Sequence, residues 1–177
     1  MTSAVAIASI ASSAIVAVAV TILSARLARA QQLVQASVTR LDELRGVIDS
    51  AALQLRDALY DANGVWSLLD QNDPTNPPPA PVLAEFEKHL NEMDDSKTRI
   101  DIRLGPSSDL ARRYESTREP LFALWSDFVG VVHQGRDFDA SASEGLLQRA
   151  AQEKDLFLNE ASQLLDPGVT LAVSSRR

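Results

Sequence analysis

His89 and His133 are the two histidines of this sequence, and they are its best candidates for binding a metal or moving a proton; the chain has no cysteine to assist either. Glu85 and Glu92 stand four residues before and three after His89, a spacing that lines two carboxylates and an imidazole along one face of a helix. A carboxylate-rich two-metal bundle needs Glu-x-x-His on two helices and further glutamates besides. Here Phe86 stands three before His89, and Gly130 stands three before His133. A solvated polar face is the expected role of the His89 group. His133, in the last turn of a helical stretch, is placed to interact favourably with the helix dipole.

The run Asp137-Phe138-Asp139-Ala140-Ser141 opens like a calcium loop. Its sixth position is Ala142 where such a loop needs Gly, and its twelfth is Gln148 where it needs Glu. No Gly-rich phosphate loop, nucleophile elbow or His-Glu-x-x-His helix occurs. Lacking Cys, the chain has no disulfide, thiolate nucleophile or Cys-ligated zinc, which fits a reducing compartment. The residues thus point to no catalytic, cofactor-binding or metal-ligating set, and to a chain that is not an enzyme.

The elements that would carry any working surface are written more plainly. Ala4 to Ser24 reads AVAIASIASSAIVAVAVTILS, and no ionisable side chain precedes Arg26. A bilayer core needs roughly 20 mostly apolar residues in a helix, so residues 1–25 are predicted to be a transmembrane anchor. Its Ile, Val and Leu residues supply the drive, each about 0.3 to 0.6 kcal/mol at the helix centre. Ser9, Ser13 and Ala17 recur every four residues, a spacing of small side chains that permits close helix approach. Ala28-Arg29-Ala30 offers a cleavage pattern, but a secretory signal carries its positive charges before the apolar run, and here they follow it. Arg26, Arg29, Arg40 and Arg45 place the short N-terminus outside and the bulk of the chain in the cytoplasm, at the plasma (inner) membrane.

The whole formal charge of −7 falls beyond that anchor, and a pI near 4.8 argues against binding a phosphate backbone, so nucleic acid is not an expected partner. Arg outnumbers Lys, as a GC-rich bacterial genome tends to encode. No Asn-x-Ser/Thr acceptor occurs.

From Leu27 an apolar residue recurs every seven positions through Val34, Leu41, Ile48, Leu55, Ala62 and Leu69. The companion positions are Ala30, Ser37, Leu44, Ala51, Ala58 and Val65. This is the a/d pattern of supercoiled helices. Val38, Ala52, Leu59 and Trp66 at e widen the stripe beyond what a two-stranded coil requires, towards the face of a bundle helix. No Pro interrupts Ala4 to Asp70, so the anchor can run on as one rod of about 100 Å.

The connector 71–81, QNDPTNPPPAP, ends that helix. Pro74-x-x-Pro77 and Pro78-x-x-Pro81 match the pattern that aromatic grooves read, although a semi-rigid link between antiparallel helices explains them without a partner. A second helix is predicted over Val82 to Leu104 with Leu83, Phe86, Leu90, Met93, Ile100 and Leu104 inward. Gly105-Pro106 stops it, and Ser107, Ser108 and Asp109 offer caps for a third. That third helix would bury Leu110, Tyr114, Leu121, Leu124, Trp125, Phe128 and Val132, with a kink at Pro120 and an end at Gly135. Ser141-x-x-Glu144 reads as a capping box for a fourth, which would bury Leu147, Ala150, Ala151, Phe157, Leu158, Ala161, Leu164 and Leu165. Trp66, Trp125, Tyr60 and Tyr114 fall at or near seam positions, where core packing is their expected role.

The expected fold is all-α: one transmembrane helix continuing into the long helix of an up-down antiparallel bundle of about four helices, with the bundle over 26–166 and a tail over 167–177. Its expected function is that of a membrane-anchored, non-enzymatic binding, scaffold or assembly module. The expected partners are the lipid bilayer, a protein whose identity the sequence does not encode, and a second copy of the chain. A signalling bundle relaying a conformational change along the membrane-proximal helix is the alternative. A secreted bundle follows if the N-terminus is a cleaved signal.

Overall fold

The computed structural model describes the backbone of residues 2–71 and 79–165, with side chains at Thr21 and from Leu23 onward within them. These residues form four helices and no strand: α1 is Thr2–Gln71, α2 Ala80–Leu104, α3 Asp109–Gln134 and α4 Ala140–Leu165. The chain divides into two compact units, Met1–Glu43 and Leu44–Arg177.

In the first unit the described side chains are exposed, apart from a half-buried Leu41. Among the described residues no helix is long and apolar enough to cross a membrane. The predicted span falls chiefly on residues 1–20, whose side chains lie outside the described residues, and what the fold supplies of the expected architecture is its all-helical bundle. Leu27 and Val34, read as seam residues, are 56% and 62% exposed. The seven-residue repeat identifies residues that share a face, and no described side chain of this unit covers that face.

In the second unit the same repeat is buried. Ile48, Ala51, Leu55, Ala58, Leu59, Ala62 and Val65 form one wall of the core, and Leu83, Phe86, Leu90, Met93 and Ile100 of α2 form the next. Tyr114, Leu121, Leu124 and Phe128 of α3, with Leu147, Ala150, Phe157 and Ala161 of α4, complete it. Neighbouring helices run antiparallel. Gln54 meets Ser96 and Asp61 meets His89, so seven residues forward on α1 is seven backward on α2. Phe86 meets Phe128 and Met93 meets Tyr114 between α2 and α3, while Glu119 meets Arg149 and Arg113 meets Glu160 between α3 and α4. The indole of Trp66 donates to the Ala140 carbonyl at 3.2 Å, tying the end of α1 to the start of α4. The arrangement is an up-down four-helix bundle.

The ends of the helices follow from local chemistry. Pro79 precedes α2 and Pro81 sits in its first turn, where a missing N–H costs nothing, so α2 starts at Ala80 and not at Val82. Residues 72–78 of the Pro-rich connector, and the tail from 166, lie outside the described residues. Gly105 closes α2 at φ 89°, a conformation that a side chain would strain. The Ser108 hydroxyl accepts the Ala111 N–H at 3.2 Å and opens α3. Helix α3 runs through the buried Pro120 without a break, and the left-handed Gly135 lets the Arg136 N–H reach back to the Gly130 carbonyl at 3.1 Å.

The start of α4 differs from the sequence reading. Asp139 is the cap, its carboxylate accepting the Ala142 N–H at 2.9 Å, and Ser141 and Glu144 lie inside the first turns. A carboxylate at this place also faces the positive end of the helix dipole. Leu158 and Leu164, expected inside, are exposed, and Tyr60 is 79% exposed on the outward side of α1. Leu104, Val132, Trp125, Ala151 and Leu165 are half-buried.

Leu55→Asp places an unpaired charge at a wholly buried seam position and should destabilise the bundle by about 4 kcal/mol or more. Val34→Asp, in the same repeat but exposed, should leave stability within about 0.5 kcal/mol. Urea unfolding followed by Trp fluorescence compares the two. In the same assay Asp139→Ala should cost about 1 kcal/mol, as loss of a helix cap does, and Ser141→Ala should cost far less.

Candidate functional site

His89 is brought to neither Glu85 nor Glu92. Its Nδ1 lies 2.6 Å from Asp61 Oδ2 across the α1–α2 interface, and both side chains are largely covered. Glu85 instead accepts from Lys88 at 3.2 Å, and this hydrogen bond pushes the Lys88 ammonium above its ordinary value. The sequence missed Asp61 as the partner, although a signal for it exists. Gln54 and Asp61 occupy successive g positions, and Ser96 and His89 share the same spacing in reverse, so one edge of α1 supplies both polar ties to α2.

His133 is exposed in the last turn of α3. Asp137 and Asp139 border a surface pocket of about 230 Å³ with Asp127, Arg136, Phe138 and Ser143. Asp139 is engaged as a helix cap there, and the Arg136 stem folds back over Gly130, where an added Cβ would stand 2.8 Å from it. A second pocket, about 250 Å³, lies between α1 and α4 against Asn63, Trp66, Glu144 and Gln148. Neither pocket joins a nucleophile to a base that is itself oriented by a third group. Among the described residues, no cluster of three or more His, Asp or Glu side chains is arranged to hold a metal.

Two internal polar groups are structural. Tyr114 is buried against Phe157, with ring centroids 5.3 Å apart, and its hydroxyl points to the Met93 carbonyl at 3.4 Å. Burial pushes the Tyr114 phenol well above its ordinary value of 10.0, hydrogen bonding with Ser96 working against the shift. Arg118 pairs with Asp94 and Glu115 and lies 5.1 Å from the centre of the Phe122 ring. Burial pulls its guanidinium below the ordinary arginine value, and its Nε is buried without a hydrogen-bond partner.

The feature that packing leaves unexplained is on α1 in the first unit, where Leu23, Leu27, Leu33, Val34 and Val38 are all more than half exposed. Set against known protein families, curated proteins and solved structures, the chain matches none.

A phenol held neutral by burial keeps its proton in the folded protein after the unfolded chain has lost its own. Tyr114 therefore contributes fully below the unfolded value near pH ~10, and that stability is lost as the pH climbs beyond it. The melting temperature should fall more steeply between neutral and strongly alkaline pH for the parent than for Tyr114→Phe. Parallel curves for the two would remove Tyr114 as the cause.

Proposed function

We propose that the chain is a membrane-anchored, non-enzymatic bundle that serves as a binding, scaffold or assembly module at the inner face of the plasma membrane. One observation supports this most: the apolar repeat of α1 that fills the core from Ile48 to Val65 is also present, and exposed, at Leu27 and Val34. A helix in water does not stably present such a face alone, since most helical stability comes from packing an apolar side. The uncharged stretch ahead of Arg26 fits a lipid anchor, and Arg26, Arg29 and Arg40 fit its cytoplasmic flank. Arg113–Glu153 at 3.0 Å and Arg149–Glu119 at 3.1 Å join α3 to α4, the role of ion pairs in a bundle that holds together and presents a surface.

Membrane pelleting with alkaline washing, and protease treatment of intact and lysed cells, test this reading. The chain should stay in the pellet until detergent is added, and the bundle should be cut only after lysis. Val16→Arg, which carries an insertion cost of about 2.5 to 3.5 kcal/mol at a helix centre, should move the chain to the soluble fraction. A polypeptide beginning near Gln31 in the external medium would overturn the proposal.

A further inference from the structure

We infer that residues 23–41 of α1 pair with the same residues of a second copy of this chain, parallel and in register. This names the partner of the module proposed above and rests on that reading. Leu23, Leu27, Ala30, Val34, Ser37 and Leu41 alternate at steps of four and three, and α1 is the sole element of its unit, so the seam has no cover within it.

Two residues outside the seam identify the occupant. Leu33, 73% exposed, stands at g, and Val38, 51% exposed, stands at the e position five residues later. In a parallel in-register pair, g of one helix meets e of the next heptad on the other. Leu33 of one copy therefore meets Val38 of the second copy, and symmetry makes the contact twice. Pairing in this sense accounts for both large apolar residues that a bare a/d seam leaves over.

Charge selects the same orientation. Arg26, Arg29 and Arg40 lie along the g side of the stripe, and no acidic residue precedes Asp42. A parallel pair sets that cationic edge beside the partner's e edge, where Gln31 and Val38 stand, and carries the two cationic edges to opposite sides of the dimer. An antiparallel pair sets g against g and brings the cationic edges together. The register leaves one like-charge pair, Arg40 against Arg45 of the second copy, at the end of the seam. Ser37 enters the seam at little cost because its hydroxyl already donates to the Leu33 carbonyl at 2.8 Å within its own helix.

Because the chain lacks cysteine, single-cysteine variants of the full chain in mild non-ionic detergent report the geometry directly. Leu27→Cys and Leu41→Cys, both at a, should each oxidise to a disulfide-linked dimer, whereas Thr39→Cys, at f on the outer side, should stay monomeric. By sedimentation equilibrium, Val34→Asp should weaken the dimer more than tenfold, since two carboxylates then meet in the seam, while bundle melting holds. Gln31→Glu places a carboxylate opposite Arg26 of the second copy and should tighten the dimer several-fold at low salt, an effect that high salt removes. A monomer at high micromolar concentration, or a disulfide between position 27 of one copy and position 41 of another, overturns the pairing. A chain that pellets with membranes yet sediments as a monomer overturns the pairing and leaves the anchor. A dimer found free in the medium overturns the anchor and leaves the pairing.

Discussion

The burial of one repeating stripe, from Ile48 to Val65 on α1, is the interaction that the rest of the bundle depends on. The stripe alternates large and small residues: Ile48, Leu55, Leu59 and Val65 project into the core, while Ala51, Ala58 and Ala62 are wholly covered but nearly flat. The alanines let neighbouring backbones come close, and the space is filled from the other side by Phe86, Met93, Tyr114, Phe128 and Phe157. The helix with the most regular repeat is thus the one with the smallest side chains, and the bulk of the core comes from its partners. The aromatic groups interlock across helices, with Phe128 held 6.3 Å from both Phe86 and Phe138.

An apolar stripe fixes which face is buried but restrains sliding only loosely, because a repeat of seven nearly matches itself after one heptad. Polar ties remove that ambiguity. His89–Asp61 and Ser96–Gln54 are aligned together in a single register of α1 on α2, and a shift of one turn would leave four partly buried polar groups without partners. The indole of Trp66 at the Ala140 carbonyl and the Arg113 contacts to Glu153 and Glu160 do the same for α4. Polar groups at the seam edges therefore contribute more to specificity than to strength.

Much of this fold was legible in the sequence because its boundaries are set by residues that act locally. Proline at the start of α2, Gly105, Ser108 and Gly135 each impose a backbone conformation or supply a missing partner within a few residues, and the helices they delimit are those observed. The misread start of α4 shows the limit. Asp139 and Ser141 are both good caps by residue type, and the structure uses Asp139, with the neighbouring Phe138 packed on Phe128, a contact distant in sequence. Leu158 and Leu164 fit the right periodicity but lie at the margins of their stripe, whereas Tyr60 falls at f, on the side of α1 away from the seam. Nor was the Asp61–His89 tie legible from local spacing, since two carboxylates stand closer to His89 in sequence and the observed partner comes from another helix.

Periodicity records which side chains share a face and is silent on whether that face has a neighbour. Leu27 and Leu55 are equivalent in the repeat, yet one is more than half exposed and the other wholly covered. A stretch of some 20 helical residues gains little from its own hydrogen bonds in water and is marginal unless a side of it is packed. For the part of α1 before Glu43, no such packing exists within its own unit, and lipid or a second chain are the two covers that the proposals above invoke. Either surface can take the apolar side and leave Arg26, Arg29 and Arg40 outside it, but only a second helix gives the g-to-e spacing of Leu33 and Val38 a specific partner. The pairing proposed above gives both features a place, since Leu33 then meets Val38 of the second copy and the two cationic edges lie on opposite sides of the pair.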